Sequence, residues 1–182
     1  DNVITSADLE KQLKQLSGEF KTPSGKVPQK IAFIHCVGSR DEKSGNQYCS
    51  KLCCVTAVKQ AIHMKKLCPQ AEIYSCYMDL RMYGPGFEEM YREAQEKYKV
   101  QFIRGRLSEV AENPDSTLQL KVEDTLAALP SRMQVDLLVL MVGMESAKST
   151  ELFAQSCGLQ CAPSRFVQPR DIHIASNLTN VD

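Results

Sequence analysis

Four of the eight cysteines in this 182-residue chain are closely spaced, and they suggest a site that binds a metal through sulfur. Cys36, Cys49, Cys53 and Cys54 follow the pattern C-x12-C-x3-C-C. Cys36 ends a predicted strand, and the other three stand where the next predicted helix begins. Helix N-terminal N–H groups favour thiolates, and thiolate is the form of cysteine that binds metal.

Four thiolates suit either a tetrahedral zinc ion or an iron–sulfur cluster. Adjacent cysteines are awkward ligands for a single small Zn²⁺, whereas a cubane spreads its irons over several ångströms. The spacing alone leaves metal binding and ordinary buried thiols both open, because cysteine often serves as a small hydrophobic residue. A dithiol oxidoreductase that uses Cys53 and Cys54 directly is a third alternative, weakened by the strain of a vicinal disulfide and the absence of C-x-x-C.

The elements around these cysteines predict an α/β domain. Apolar runs predict buried strands at residues 31–35, 72–80, 100–103 and 135–142, and helical patterns occupy 50–67 and the residues after Gly86. Thr5 and Asp8 form a capping-box pattern before a first helix. Strand signals at 107–111 and 117–122 flank a hairpin signal at 113–116. This order matches the nicotinamide half of thioredoxin-reductase-like flavoproteins, a nucleotide-binding three-layer fold with a parallel sheet plus a β-meander.

The domain prediction has three parts. Residues 1–28 form an N-terminal helix and linker, 29–146 form the Rossmann-like domain with the cysteine motif, and 147–182 form an irregular tail. The chain starts without Met, and we interpret it as a piece of a longer protein. A dinucleotide site needs G-x-G-x-x-G after the first strand, and Gly38 is the single glycine there, which argues against NAD(P) or FAD binding by this piece.

Composition narrows the functional classes. Lysine plus arginine equals aspartate plus glutamate at 22 each, so the basic excess of a nucleic-acid or membrane-surface binder is missing. No apolar run reaches the ~20 residues of a membrane span, and no signal peptide opens the chain. We therefore expect a cytoplasmic protein, in which clustered thiols bind metal or do redox work.

The cysteine motif resembles that of the A subunit of heterodisulfide reductase, together with related flavoprotein subunits of quinone-interacting membrane-bound oxidoreductases. The resemblance is carried by residues 34–41 (IHCVGSRD), 48–54 (YCSKLCC), 59–61 (KQA), 79–81 (DLR), 86–91 (GFEEMY) and 102–106 (FIRGR). It extends from about residue 2 to residue 144.

This resemblance implies a [4Fe–4S] cluster held by Cys36, Cys49, Cys53 and Cys54. It implies FAD in the parent protein, although the family's FAD fingerprint is missing from this chain. It also implies an electron-relay role between FAD and further clusters or partner subunits of an oxidoreductase complex, with the isolated piece not catalytically competent by itself.

The remaining cysteines and histidines are weaker candidates for metal ligands. Cys68 and Cys76 are expected to be structural, and His63 and His173 to lie on the surface. Cys157 and Cys161 form a C-x3-C pair that is open to a second metal site, a disulfide or incidental thiols.

His35, next to Cys36, is a candidate for a hydrogen bond near the cluster. As strand neighbours, however, the two residues should point to opposite faces of the sheet, which favours a packing role for His35. Four arginines near the carboxyl edge of the sheet either favour an anionic cluster, form ordinary surface ion pairs or dock a partner: Arg40, Arg81, Arg104 and Arg106.

Overall fold

The computed structural model describes residues 2–181, and the chain divides into two compact units. The first unit contains the residues up to Val37 together with Lys51–Val142. The second contains Gly38–Ser50 and the residues from Gly143 onward. The chain therefore leaves the first unit just after Cys36 and returns just before Cys53.

The elements follow one another in this order: β1 (Val3–Thr5), α1 (Ser6–Gln15), β2 (Lys30–Val37), α2 (Cys53–Leu67), β3 (Glu72–Tyr77), α3 (Phe87–Glu96), β4 (Gln101–Arg104), β5 (Leu107–Glu112), β6 (Leu118–Asp124), β7 (Leu129–Val135), β8 (Leu137–Val142) and α4 (Lys148–Ser156).

The first unit has three layers. Its central layer is a parallel sheet with the strand order β1-β8-β2-β3-β4, and a separate antiparallel sheet has the order β5-β6-β7. Along β2, Ile31 and Phe33 join the apolar core on the helix side, whereas Ala32 and Ile34 join the core against the antiparallel sheet. Burial on both faces explains why this strand is almost continuously apolar.

This architecture confirms the predicted fold class of a parallel sheet plus a β-meander. The capping box is present, since the Asp8 N–H donates to Thr5 Oγ1 at 3.1 Å and the Thr5 N–H donates to Asp8 Oδ2 at 3.4 Å. The predicted hairpin at 113–116 joins β5 to β6. α3 begins directly after Gly86, where a φ of 79° places the backbone in the left-handed region that glycine tolerates.

Several element boundaries differ from the prediction; for example, β3 ends at Tyr77 rather than at residue 80. The second helix starts at Cys53 rather than at residue 50, because Lys51 has a φ of 62° that interrupts a right-handed helix. The predicted strand over 135–142 is the end of β7 and the whole of β8. Between them, the carboxylate of Asp136 accepts hydrogen bonds from the N–H groups of Gln29 (2.7 Å) and Lys30 (2.8 Å), which ties the junction to the start of β2.

The second unit is mostly irregular, with α4 and three isolated β-bridges. Asn46 Nδ2 donates to the Gly38 carbonyl oxygen at 3.1 Å and to Glu145 Oε1 at 2.7 Å, so the two segments of this unit are hydrogen-bonded to each other. The Glu145 carboxylate also pairs with Arg165 at 3.0 Å. Among the described residues, no helix is long and apolar enough to traverse a bilayer.

Candidate metal centre

Three of the four predicted ligands meet in the first unit, at the carboxyl end of β2. Cys36 is the last but one residue of that strand, and Cys53 and Cys54 are the first two residues of α2. All three side chains are buried and belong to the apolar core between the parallel sheet and the helices. The strand end and the following helix start thus bring these three thiols together, and their role as metal ligands stays a prediction.

The sulfur of Cys53 is the centre of this group. The thiols of Cys36 and Cys54 and the N–H of Cys36 all donate hydrogen bonds to it. The two thiol donors are the main reason that the pKa of Cys53 falls far below its ordinary value, and burial opposes the shift only in part. The surroundings of Cys53 therefore favour the thiolate form of this side chain.

Cys54 has the opposite tendency. Its proton is held in the hydrogen bond to Cys53, and this bond, followed by burial, raises the pKa of Cys54. The Cys54 Sγ also lies 3.7 Å from the carbonyl oxygen of Asp79, while the N–H of Arg81 donates to the Cys54 sulfur. Two backbone groups of the segment after β3 thus contact Cys54.

His35 also faces this group, contrary to the prediction that it points to the other side of the sheet. One of its ring nitrogens and the sulfurs of Cys53 and Cys54 all lie within 4.8 Å of one another. The prediction was wrong because Cys36 has a φ of 59° and the β2–β8 register shifts between Ile34 and Val37. This left-handed residue brings the Cys36 thiol to the helix side, where His35 already points.

Burial controls the charge of His35. It lowers the pKa of the imidazole to about 4, and the nearby Cys53 thiolate opposes this shift. The ring is therefore neutral near pH 7, when one nitrogen carries a proton and the other offers a lone pair. His35 Nε2 lies 2.8 Å from the Oγ of the buried Ser75, on the neighbouring strand β3.

Cys49, the fourth predicted ligand, belongs to the second unit. It stands four residues before Cys53 in the chain. Four residues of fully extended chain span at most about 14 Å between Cα atoms.

The donor set fits a thiolate-bound metal group. The Cys36 and Cys54 thiols both hydrogen-bond to the Cys53 sulfur, which favours its anionic form, and a ring nitrogen of His35 lies within 4.8 Å of the Cys53 and Cys54 sulfurs. Soft thiolate ligands select zinc and iron–sulfur clusters among biological metal groups, and none of these side chains is a hard oxygen ligand. Cys36, Cys53 and Cys54 are the residues of the first unit that would hold the group.

The remaining cysteines and histidines occupy other environments. Cys68 ends α2 within the apolar core, and Cys76 lies in β3 against the antiparallel sheet, where burial raises its pKa to about 12. Cys157 and Cys161 are exposed, and within residues 2–181 no cysteine forms a disulfide. His63 and His173 are exposed as predicted.

Two of the four arginines support the segment that contacts Cys54. Arg104 Nε donates to the Met78 carbonyl oxygen at 3.2 Å, and its guanidinium lies 3.8 Å from the Asp79 carboxylate. Arg106 Nε lies 3.0 Å from the Met78 sulfur. Arg81 contacts Cys54 through its backbone N–H, and Arg40 belongs to the second unit.

Sequence reasoning missed two contributors to the site. Ser75 is a single serine within a buried strand, so its residue type does not mark it as part of a site. The Asp79 contact is made by a backbone carbonyl oxygen, which every residue has. The register pairing of Phe33 with Ser75 would have placed Ser75 on the helix side. That register is visible only in the folded sheet.

Solved structures show the same fold. Thioredoxin reductase from Lactococcus lactis matches with a TM-score of 0.51 at 16% identity, over 84% of this chain and 41% of that protein. L-lysine 6-monooxygenase from Pseudomonas syringae matches with a TM-score of 0.52 at 10% identity, over 80% of this chain and 41% of that protein. No family model matches the chain.

Curated relatives identify the family. The A subunit of the H(2)/formate:CoB-CoM heterodisulfide,ferredoxin reductase from Methanococcus maripaludis is 41% identical over 187 aligned residues. The iron-sulfur A subunit of the CoB–CoM heterodisulfide reductase from Methanocaldococcus jannaschii is 40% identical over 187. Each alignment covers 100% of this chain and 28% of the relative. The A subunit of the H(2):CoB-CoM heterodisulfide,ferredoxin reductase from Methanothermobacter marburgensis is 44% identical over 91% of the chain.

The chain thus spans just over a quarter of the length of these relatives. The matches extend through the whole cysteine motif and continue beyond residue 144, where the sequence resemblance alone had ended. On this similarity, the chain belongs to the family of heterodisulfide reductase A subunits, of which it represents one segment.

Proposed function

We propose that this chain is the cluster-bearing electron-transfer domain within a larger oxidoreductase polypeptide, and that Cys36, Cys49, Cys53 and Cys54 hold a [4Fe–4S] cluster. The observation that carries the proposal is the convergence of two buried thiols, those of Cys36 and Cys54, on the buried sulfur of Cys53 at the start of α2. Cys49 is assigned as the fourth ligand from its position in the motif.

The relatives support this assignment of the metal group. The relative from Methanocaldococcus jannaschii is named as an iron-sulfur protein of its reductase, and its alignment includes the entire chain. Four thiolates are the usual ligand set of a [4Fe–4S] cluster. The bound cluster would supply one-electron redox chemistry at this position.

In this function, the protein's own residues would bind the cluster and shield it from water. The thiolate-favouring environment of Cys53 provides an anionic ligand without the cost of removing a tightly held proton. Burial of Cys36, Cys53 and Cys54 keeps their sulfurs from solvent. Hydrogen bonds and exclusion of water are the main means by which a protein sets the potential of a cluster.

The cofactor and partners of the parent protein follow from the same reasoning. We place the FAD of the parent outside this segment, since G-x-G-x-x-G does not follow β2. We further propose that the cluster relays electrons between that FAD and other clusters or partner subunits. A chain with many cysteines and no disulfide among its described residues suits the reducing cytoplasm, to which we assign the protein.

The test is anaerobic reconstitution of this chain with iron and sulfide, followed by iron analysis and spectroscopy. We expect about four irons per chain and a brown, reducible protein. Separate variants Cys36→Ser, Cys49→Ser, Cys53→Ser and Cys54→Ser should each lose most of the bound iron. Cys157→Ser and Cys161→Ser are matched controls on exposed thiols and should retain it.

Unchanged iron content in the four cysteine variants would contradict the proposal. Retention of iron by Cys49→Ser alone would remove that residue from the ligand set and leave the three thiols of the first unit.

A zinc-stabilised docking domain is the second candidate. It is favoured by the ring nitrogen of His35, which completes a mixed nitrogen and sulfur donor set with Cys53 and Cys54. Stoichiometric zinc in protein prepared without added metal, no redox signal and unfolding by a chelator would support this candidate over the cluster.

A further inference from the structure

The buried imidazole of His35 has no role in the proposed ligand set, yet it faces that set directly. Its side chain is 7% exposed, and one ring nitrogen lies within 4.8 Å of the Cys53 and Cys54 sulfurs. Within residues 2–181, its Nδ1 has no hydrogen-bond partner. A buried polar atom without a partner is costly, so its position beside the thiols requires an explanation.

The hydrogen bond to Ser75 explains how the ring is oriented. Ser75 is 1% exposed, and its Oγ lies 2.8 Å from His35 Nε2. When the serine hydroxyl donates to Nε2, the single proton of the neutral ring resides on Nδ1. The opposite tautomer would leave a buried Nδ1 lone pair without a donor to satisfy it.

The local backbone supports the same arrangement. The left-handed conformation of Cys36, with a φ of 59°, places its thiol on the side of the sheet to which His35 points. An imidazole and a ligand from consecutive residues of one strand therefore share one site. A regular strand would have separated them to opposite faces.

We propose that His35, oriented by Ser75, donates a hydrogen bond from Nδ1 to a sulfur atom of the metal centre and thereby favours its reduced form. This inference rests on the proposed cluster function. Ser75 is a positioning residue, since it acts only through the imidazole.

The physical reason is the charge change on reduction. A reduced cluster carries one more negative charge, so a hydrogen-bond donor to its sulfur stabilises the reduced state more than the oxidised state. Burial strengthens this difference, because water cannot screen it. Loss of the donor therefore lowers the equilibrium constant for reduction.

The experiment compares midpoint potentials of reconstituted variants by anaerobic redox titration. His35→Leu removes the donor and should reduce the one-electron equilibrium constant about tenfold, which corresponds to 59 mV. Ser75→Ala removes the hydroxyl that keeps the ring proton on Nδ1. This variant should lower the midpoint potential too, but by less than His35→Leu does. His35→Asn places an amide nitrogen where Nδ1 lies and should restore most of the wild-type potential.

The control is His63→Leu, which removes an exposed histidine from α2 and should leave the potential unchanged. If the wild-type chain binds no cluster, the proposed function fails. If the wild type binds the cluster and His35→Leu has the wild-type potential, the inference about His35 is overturned.

Ser75→Ala decides the matter where His35→Leu cannot be reconstituted, and a wild-type potential in that variant again overturns the inference. Loss of iron in both His35→Leu and His35→Asn, with Ser75→Ala unchanged in potential, would make His35 a metal ligand and likewise overturn the donor role.

Discussion

The first two helices begin in very different ways, although each follows a strand of the same parallel sheet. α1 follows β1 directly, and Thr5 and Asp8 close its N-terminus with two reciprocal hydrogen bonds. α2 begins after Leu52, whose apolar side chain cannot accept a hydrogen bond, and its first two residues are Cys53 and Cys54. The first turn of α1 thus contains a carboxylate, whereas the first turn of α2 has no acidic residue and begins with two buried cysteines.

This difference shows that two helix starts at the same edge of one sheet can serve different purposes: the start of α1 contributes to stability, and the start of α2 offers ligands for a metal. The carboxyl edge of a parallel sheet is the usual place for ligands, but a helix N-terminus there can attract an anion only if its own residues have not already supplied one. At α1, Asp8 supplies it. At α2, the first turn contains no acidic residue, and the Cys53 sulfur, whose environment favours the thiolate, is left to bind a metal.

The largest expected effect is the loss of metal at one helix and not at the other. Cys53→Ala should abolish most iron uptake, because it removes the sulfur on which Cys36 and Cys54 converge. Thr5→Ala should retain wild-type iron content after the same reconstitution. If iron analysis gives equal losses in both variants, the contrast between the two helix starts is wrong.

The second effect is on stability and concerns α1. Thr5→Ala should lower the free energy of unfolding by about 1 kcal/mol, since it removes an N-cap acceptor. Urea unfolding monitored by circular dichroism measures this change. Thr5→Ser is the matched control, and it should remain near wild type because serine caps equally well.

A smaller effect is expected in the pH dependence of stability. The hydrogen bond from the Thr5 hydroxyl, followed by that from the Thr5 N–H, lowers the pKa of Asp8 below its ordinary 3.8. The folded state therefore binds the Asp8 proton less readily than the unfolded state, and the stabilisation is present above that pH and lost on acidification. The unfolding midpoints of wild type and Asp8→Asn should differ near neutrality and converge on acidification below 3.8.

The smallest expected effect is none at all. Leu52→Ser introduces a good capping residue at α2, but Leu52 has φ −105° and ψ −27°, which is helical rather than extended. A side-chain cap requires the extended conformation, so the stability should change by less than about 0.5 kcal/mol. A clear gain in the urea midpoint would show that the start of α2 can be closed in the way that α1 is.

The sequence predicted much of the fold and most of the thiol cluster for definite reasons. Thr5 and Asp8 have the spacing of a capping box, and the apolar run at β2 can only be a buried strand. The three-residue β1 was not predicted, because it is too short to show a period. The junction at Asp136 was not predicted either, because a bond from its carboxylate to a distant strand has no local signature.

At the site, too, the features that were not predicted depend on contacts between residues that are distant in the sequence or on backbone conformation. Cys36, Cys53 and Cys54 converge because a strand end and a helix start are neighbours in any such sheet, so their spacing predicts the contact. The position of His35 depends on a single backbone angle at Cys36, and sequence alternation indicates the opposite face. Ser75 reaches the site through strand register, which no residue type reveals.

The strand order has a consequence for how the chain must be made. β8 is the last strand in the sequence, yet it lies between β1 and β2. Until residues 137–142 leave the ribosome, β1 lacks its neighbour and β2 has one open side onto which a foreign strand can add. Chains that stop before Leu137 are therefore expected to aggregate, even though every cysteine of the proposed metal site would already be present.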